Sequence, residues 1–281
     1  MTHSLLPEQR QKLATLLAYC REMGSVDFYR GAHDLAAVPE MLNPSVSDQV
    51  PPDIATPNPV LNEPLSTMPR TPSLLTPPPV IDFSLPAIAS QDRAAALDAI
   101  RTEIGDCTRC PLAFEGRNMI VFGNGDPSAE LLFVGEAPGA DEDVQGVPFV
   151  GRGGQLLNNM ITAMGLSREQ VYVANIVKCR PPKNRVPEPV EATTCTPFLF
   201  QQIGVVHPKL IVALGATAAK YMLGTKAALS VLRGKTHDCM GTKLIVTYHP
   251  AYLLRDPRQK AEAWKDLQLA MKFLNLAPPT R

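Results

Sequence analysis

The sequence has no unbroken apolar run of about 18 residues, the length a membrane-crossing helix requires. Nor does its start, Met1-Thr2-His3-Ser4-Leu5-Leu6-Pro7-Glu8-Gln9-Arg10, have the basic-then-apolar shape of a secretory leader. The chain is therefore expected in the cytoplasm, with no membrane partner. Net charge is also missing: 27 Lys and Arg balance 27 Asp and Glu. Bulk charge thus names no partner. Aromatics are scarce at 6%, but apolar residues reach 45%, enough to fill a core. Cysteine is sparse as well. In a reducing compartment six cysteines read as metal ligands or inert core more readily than as disulfides.

The zero average hides an asymmetry. Residues 1–90 carry 5 basic and 9 acidic side chains, and residues 91–281 carry 22 and 18. A mildly basic body tethered to an acidic arm permits nucleic-acid binding without demanding it. Proline divides the chain at the same place, with thirteen of the 28 falling between Pro39 and Pro86. Proline fixes φ and offers no N–H, so residues 36–90 read as a disordered linker. Residues 1–35 contain one short helical pattern around Leu13, Leu16 and Leu17. It has nothing local to bury against and would dock on the main domain or on a protein partner, or form only marginally. Residues 91–281 form the globular domain.

Within that domain short apolar runs alternate with helical patterns. Strands are expected over 131–134, 171–177, 210–214 and 244–247. Helices are expected over 91–105, 154–165, 188–203, 216–223 and 259–274. Continuous apolar strands alternating with helices predict an α/β fold with a parallel sheet covered on both faces. In such sheets ligands bind beyond the carboxyl ends of the strands. Glu136, Asn175 and His249 each stand at one of those ends.

Four cysteines form two pairs. Cys107 and Cys110 are in a C-x2-C turn, and Cys179 and Cys195 are separated by fifteen residues. Four thiolates satisfy either tetrahedral zinc or a [4Fe–4S] cluster, and spacing alone does not choose. Cys20 and Cys239 fall outside the pattern.

The strand-end loops carry the remaining signals. Gly135-Glu136-Ala137-Pro138-Gly139 is neither a P-loop nor a dinucleotide fingerprint. The acidic run Asp141-Glu142-Asp143 follows. Next come Phe149, which between glycine-bearing segments is usually core but is also placed to stack on a base, and Gly151-Arg152-Gly153-Gly154, a helix start able to take a phosphate on backbone N–H groups. Asn175 either braces a loop or reads a base edge, since one amide offers both a donor and an acceptor. Lys178, Arg180, Lys183 and Arg185 form a basic run that is either a solvated face or a seat for DNA backbone. His249 opens His-Pro-Ala-Tyr-Leu-Leu-Arg; a lone histidine is more often structural, but its strand-end position favours function.

Taken together, these motifs closely resemble the family 4, iron–sulfur uracil-DNA glycosylases over about residues 95–275. The resemblance rests on the two cysteine pairs, Gly-Glu-Ala-Pro-Gly, Pro148-Phe149-Val150-Gly151, Asn175 through Pro182 and His249-Pro250. It implies a three-layer α/β/α fold with a central four-stranded parallel sheet, preceded by the disordered extension. It implies a [4Fe–4S] cluster on Cys107, Cys110, Cys179 and Cys195, and a monomer that hydrolyses uracil from single- or double-stranded DNA, leaving an abasic site. Within that activity Phe149 would stack on the flipped base and Asn175 would read its edge. His249 would stabilise charge growing at O2, and Glu136 with the backbone of Ala137 would place the water. Glu142 would exclude the thymine methyl. Gly153 and Gly154 would hold DNA backbone, while Leu253 and Arg255 would enter the duplex. The sequence departs from the family at Gly153, where alanine is usual, and has no aspartate in the first loop to act as general base. A related branch that binds its product covalently carries an insert after Phe-Val-Gly; here that segment runs straight into the next helix.

Overall fold

A computed structural model describes residues 90–277 of the protein. The expected short N-terminal helix lies outside the described residues, as does the Pro-rich linker except for its last residue, Ser90. The helices are α1 (Ser90–Ile104), α2 (Ala140–Gln145), α3 (Arg152–Ala163), α4 (Pro189–Val206), α5 (Ala216–Leu223), α6 (Leu229–Leu232), α7 (Pro250–Arg255) and α8 (Lys260–Phe273). The strands are β1 (Asn124–Gly125), β2 (Leu131–Gly135), β3 (Tyr172–Asn175), β4 (Leu210–Leu214), β5 (Thr236–Cys239) and β6 (Thr242–Thr247).

One sheet holds all six strands in the order β1-β3-β2-β4-β6-β5. Its four central strands run parallel, with Gly135 opposite Asn175, Leu132 opposite Ile211 and Leu214 opposite Thr247. The expected four-stranded parallel sheet is therefore the centre of a six-stranded one, with β1 and β5 added antiparallel at the edges. Neither edge strand has a continuous apolar run. β1 is only Asn124-Gly125, and three of the four β5 residues are polar. β5 returns into β6 through Met240 and Gly241, both left-handed at φ 56° and 88°, as a two-residue hairpin turn requires.

Strand side chains alternate between two cores. Leu132 and Val134 pack with α1, α4 and α5 through Ile100, Leu199, Ile203 and Met222. Leu131 and Phe133 pack with α3 and α8 through Leu157, Ile161, Leu267 and Met271. Burial on both faces explains why these strands are apolar without interruption. The result is the three-layer α/β/α arrangement.

The acidic run at 141–143 forms α2. Gly139 caps its start, and the Glu142 carboxylate reaches back to the Gly139 N–H at 3.0 Å. Acidic side chains in a first turn also favour the positive end of the helix dipole. Asp143 is buried and accepts from the Asn118 backbone N–H at 2.9 Å and the Asn118 amide at 2.6 Å, tying α2 to the loop before β1.

Candidate active site

Parallel strands in the order β3-β2-β4-β6 bring their carboxyl ends to one edge of the sheet. Asn175 ends β3, Glu136 follows β2, Gly215 follows β4, and His249 lies two residues past β6. Gly135 pairs directly with Asn175. A Cβ on Gly135 would fall on the Asn175 amide oxygen and within 2.5 Å of the Phe149 ring. That missing methyl is the room in which Asn175 and Phe149 meet.

Phe149 is held in a left-handed conformation at φ 57°, uncommon for a bulky residue. Three contacts hold the loop that carries it. Glu142 Oε1 accepts from the N–H groups of Val150 and Gly151, both at 2.9 Å. Arg168 donates to the Pro148 carbonyl at 3.2 Å. Gly154, in the first turn of α3, packs on the Phe149 main chain so closely that a Cβ there would lie 2.8 Å from the Phe149 Cα and closer still to its carbonyl. Gly153 is different, since a Cβ would make ordinary contacts with Ala251, the nearest at 3.7 Å. The alanine usual at this position would fit. Helix α3 begins at Arg152, immediately after Gly151, so its first-turn N–H groups, those of Gly153 and Gly154 among them, have no intrahelical partner.

Asn175 is 1% exposed, and among the described residues its amide oxygen has no hydrogen-bond partner. A buried acceptor left open costs free energy and marks a place for a donor from a ligand. The His249 ring lies 5.7 Å from the Phe149 ring, tilted by 32°. Its Nδ1 accepts from the Ala251 N–H at 3.1 Å, which leaves Nε2 to carry the proton in a neutral ring. Burial, with Arg255 adding to it, pushes the imidazole down to about 4. The ring is therefore neutral at physiological pH and has one N–H to donate.

Two residues join this site without having been picked out in the sequence. The Thr217 hydroxyl, in the first turn of α5, donates to Glu136 Oε2. Gly215 packs against His249, its would-be Cβ 3.0 Å from that of the histidine. The signal was weak: a glycine and a threonine after the β4 run show no polar motif.

Other expected residues take different places. Ala137 is half-buried behind Glu136. The Leu-Leu-Arg segment is helical, not a loop, and its period turns Pro250 and Leu253 inward, Leu253 being only 1% exposed. Leu253 as a duplex-entering side chain is thus corrected; half-exposed Leu254 and exposed Arg255 face outward instead. The basic run is not one solvated face. Lys178 is fully buried, and Arg185 is tied to Glu191 at 2.6 Å and Glu115 at 3.0 Å.

A second site lies just beyond Asn175. Cys107 and Cys110 after α1, Cys179 after β3 and Cys195 inside α4 line one cavity with Ile104, Ile120 and Phe198. N–H groups point at three of the sulfurs. Arg109 donates to Cys107 at 3.3 Å, Arg117 to Cys179 at 3.4 Å, and the Lys178 main chain to Cys195 at 3.3 Å. Burial pushes the Cys110 thiol up to about 11 and Cys195 up to about 12, and raises Cys179 as well. Among the described residues, no three His, Cys, Asp or Glu side chains converge as closely as a single metal ion needs.

The sequence model of the Uracil DNA glycosylase superfamily matches residues 122–268. A type-4 uracil-DNA glycosylase of Thermotoga maritima is 40% identical over 186 residues, covering 65% of this chain and 96% of that protein. One from Sulfurisphaera tokodaii is 44% identical over 171 residues, covering 58% and 77%. A type-5 uracil-DNA glycosylase of Pyrobaculum aerophilum is more distant, at 31% over 146 residues, covering 46% and 64%. With the fold, the strand-end site and these relatives in agreement, the chain belongs to the uracil-DNA glycosylase superfamily, in its type-4 branch.

Proposed function

We propose that this protein removes uracil from DNA by hydrolysing the N-glycosidic bond, leaving an abasic site for base excision repair. The observation that carries the reading is the buried, unpartnered Asn175 amide oxygen beside Phe149. A base must leave the stack to reach such a pocket. Phe149 then offers its ring for stacking. Asn175 accepts N3–H on its open oxygen and donates its N–H to O4. As the bond to the sugar breaks, the bonding electrons move onto the base and charge grows at O2. The neutral imidazole of His249, its tautomer set by Ala251, donates Nε2–H to that charge. Glu136, steadied by Thr217, orients the water that attacks the sugar carbon. Glu142 shapes the loop beside the pocket by holding Val150 and Gly151, which is how it would deny space to the thymine methyl. The open N–H groups at the start of α3 suit a DNA phosphate, and Arg255 with Leu254 faces the duplex.

The four thiols fit a [4Fe–4S] cluster. Four cysteines line one cavity, sulfur-directed N–H groups are in place, and thiols that burial keeps protonated would lose those protons to solvent as their sulfurs bind the metal. When bound, the cluster supplies a crosslink between the end of α1, the end of β3 and α4. Among the described residues no helix is long and apolar enough to cross a membrane.

The test is incubation of the purified protein with a uracil-containing oligonucleotide, then alkali, then a gel. Strand cleavage at the uracil position, absent with thymine there, supports the proposal. Retention of the oligonucleotide without cleavage points to a DNA-binding module and contradicts it.

A further inference from the structure

Lys178 is 1% exposed, and the reaction described above gives it nothing to do. A lysine taken out of water is costly, and an apolar side chain of similar size would fill the space without that penalty. What the ammonium provides is donation. Its Nζ bonds the Asn175 carbonyl at 3.0 Å and Gln202 Oε1 at 2.6 Å. Gln202, fully buried, is fixed in turn by donating to the Phe122 carbonyl at 2.9 Å and the Tyr172 hydroxyl at 3.2 Å. The Lys178 main chain is held too. Its N–H donates to Cys195 Sγ at 3.3 Å, and its carbonyl accepts from Val121 at 2.8 Å.

We propose that Lys178 is a positioning residue that aims Asn175 at the base and ties that aim to the thiol pocket. Asn175 is the last residue of β3. Bonding its carbonyl to a buried ammonium fixes the peptide plane beyond it. Only the two side-chain torsions of Asn175 remain free, and Gly135 and Phe149 crowd those. The same residue presents its main-chain N–H to a sulfur of the proposed cluster. Occupancy of the thiol pocket and the aim of Asn175 therefore meet at one residue. The inference rests on the reading of Asn175 as the group that recognises uracil.

The experiment compares full-length, iron-loaded wild type with Lys178→Met and Lys178→Gln. It measures iron per chain, visible spectrum, melting temperature, affinity for abasic product DNA, single-turnover uracil excision and inhibition by free uracil. Lys178→Met should keep iron, spectrum and product-DNA affinity. Its excision rate should fall by about tenfold to a hundredfold, with free-uracil inhibition weakened in step. Lys178→Gln, a neutral donor one atom shorter, should retain more of both. If Lys178→Met does not fold, Lys178→Gln alone decides, with weakened uracil inhibition at full iron expected. Wild-type excision and wild-type uracil inhibition in a variant that only melts earlier would overturn the proposal. A wild type that releases no uracil would instead overturn the functional reading beneath it.

Discussion

Asn175 and Cys179 are four residues apart, yet they face pockets in opposite states of readiness. Around Asn175 the polar groups are already aimed: an open amide oxygen, a histidine locked in one neutral tautomer, and a phenylalanine held at a left-handed φ. Around Cys179 the thiols are gathered, but burial pushes those of Cys110, Cys179 and Cys195 up, toward the protonated form that does not ligate. The first pocket is preorganised for a ligand that comes and goes. The second, on the proposed reading, would be completed by a bound cluster. Damage to the first should therefore affect chemistry while sparing the fold, and damage to the second should affect both.

The strongest break is Cys179→Ala. Three remaining thiolates leave the metal core open, and loss of a structural metal belongs among destabilisations above about 4 kcal/mol. Iron content and visible colour should vanish together, and the melting temperature should fall; a variant that stays brown and melts normally would remove Cys179 from the ligand set. His249→Ala comes next. Loss of one donor to a developing anion costs about 2.7–4 kcal/mol, so single-turnover excision should drop a hundredfold to a thousandfold with DNA binding nearly unchanged. Asn175→Asp follows, at about tenfold to a few hundredfold, because a carboxylate cannot donate to O4. Trace cytosine release would fit the swapped pattern, and undiminished uracil excision would place Asn175 outside the pocket.

Two neighbouring glycines sharpen the comparison at smaller scale. Gly154→Ala should displace Phe149, costing about 1–3 kcal/mol of stability together with activity. Gly153→Ala has room and should be neutral or stabilising by up to about 1 kcal/mol. Urea melts of both variants check this, and equal losses would contradict the packing described. A further effect is on pH dependence. His249 titrates near 4 in the fold against about 6.5 unfolded, so the unfolded chain takes up its proton first as pH falls. Stability contributed by the neutral ring is whole above about pH 6.5 and lost as pH drops toward 4. His249→Gln should flatten that part of the stability curve.

Much of the frame was legible in the sequence because burial on both faces writes continuous apolar runs. The strand Leu210–Leu214 and the helix Ala216–Leu223 stand where the pattern put them, punctuated by Gly215. The edge strands were not legible, since a two-residue bridge and a mostly polar hairpin arm leave no such run. The acidic helix α2 had its signals, a glycine on each side and acids in the first turn, but they read equally as a loop. In the candidate site, Asn175 and His249 stood out as polar residues at strand ends and Phe149 as an aromatic in the loop before α3. Lys178 was read as part of a charge run because its partners, Gln202 and the Asn175 carbonyl, are known only from the folded chain. Leu253 was misplaced because a loop was assumed where a helical turn sets the facing.

If the two pockets are separable, one paired measurement on His249→Ala shows it most directly. Iron per chain and single-turnover uracil excision are determined on the same preparation. The predicted result is a wild-type iron complement with excision reduced at least about a hundredfold. Loss of iron in parallel with the rate, or a wild-type rate at full iron, would contradict it.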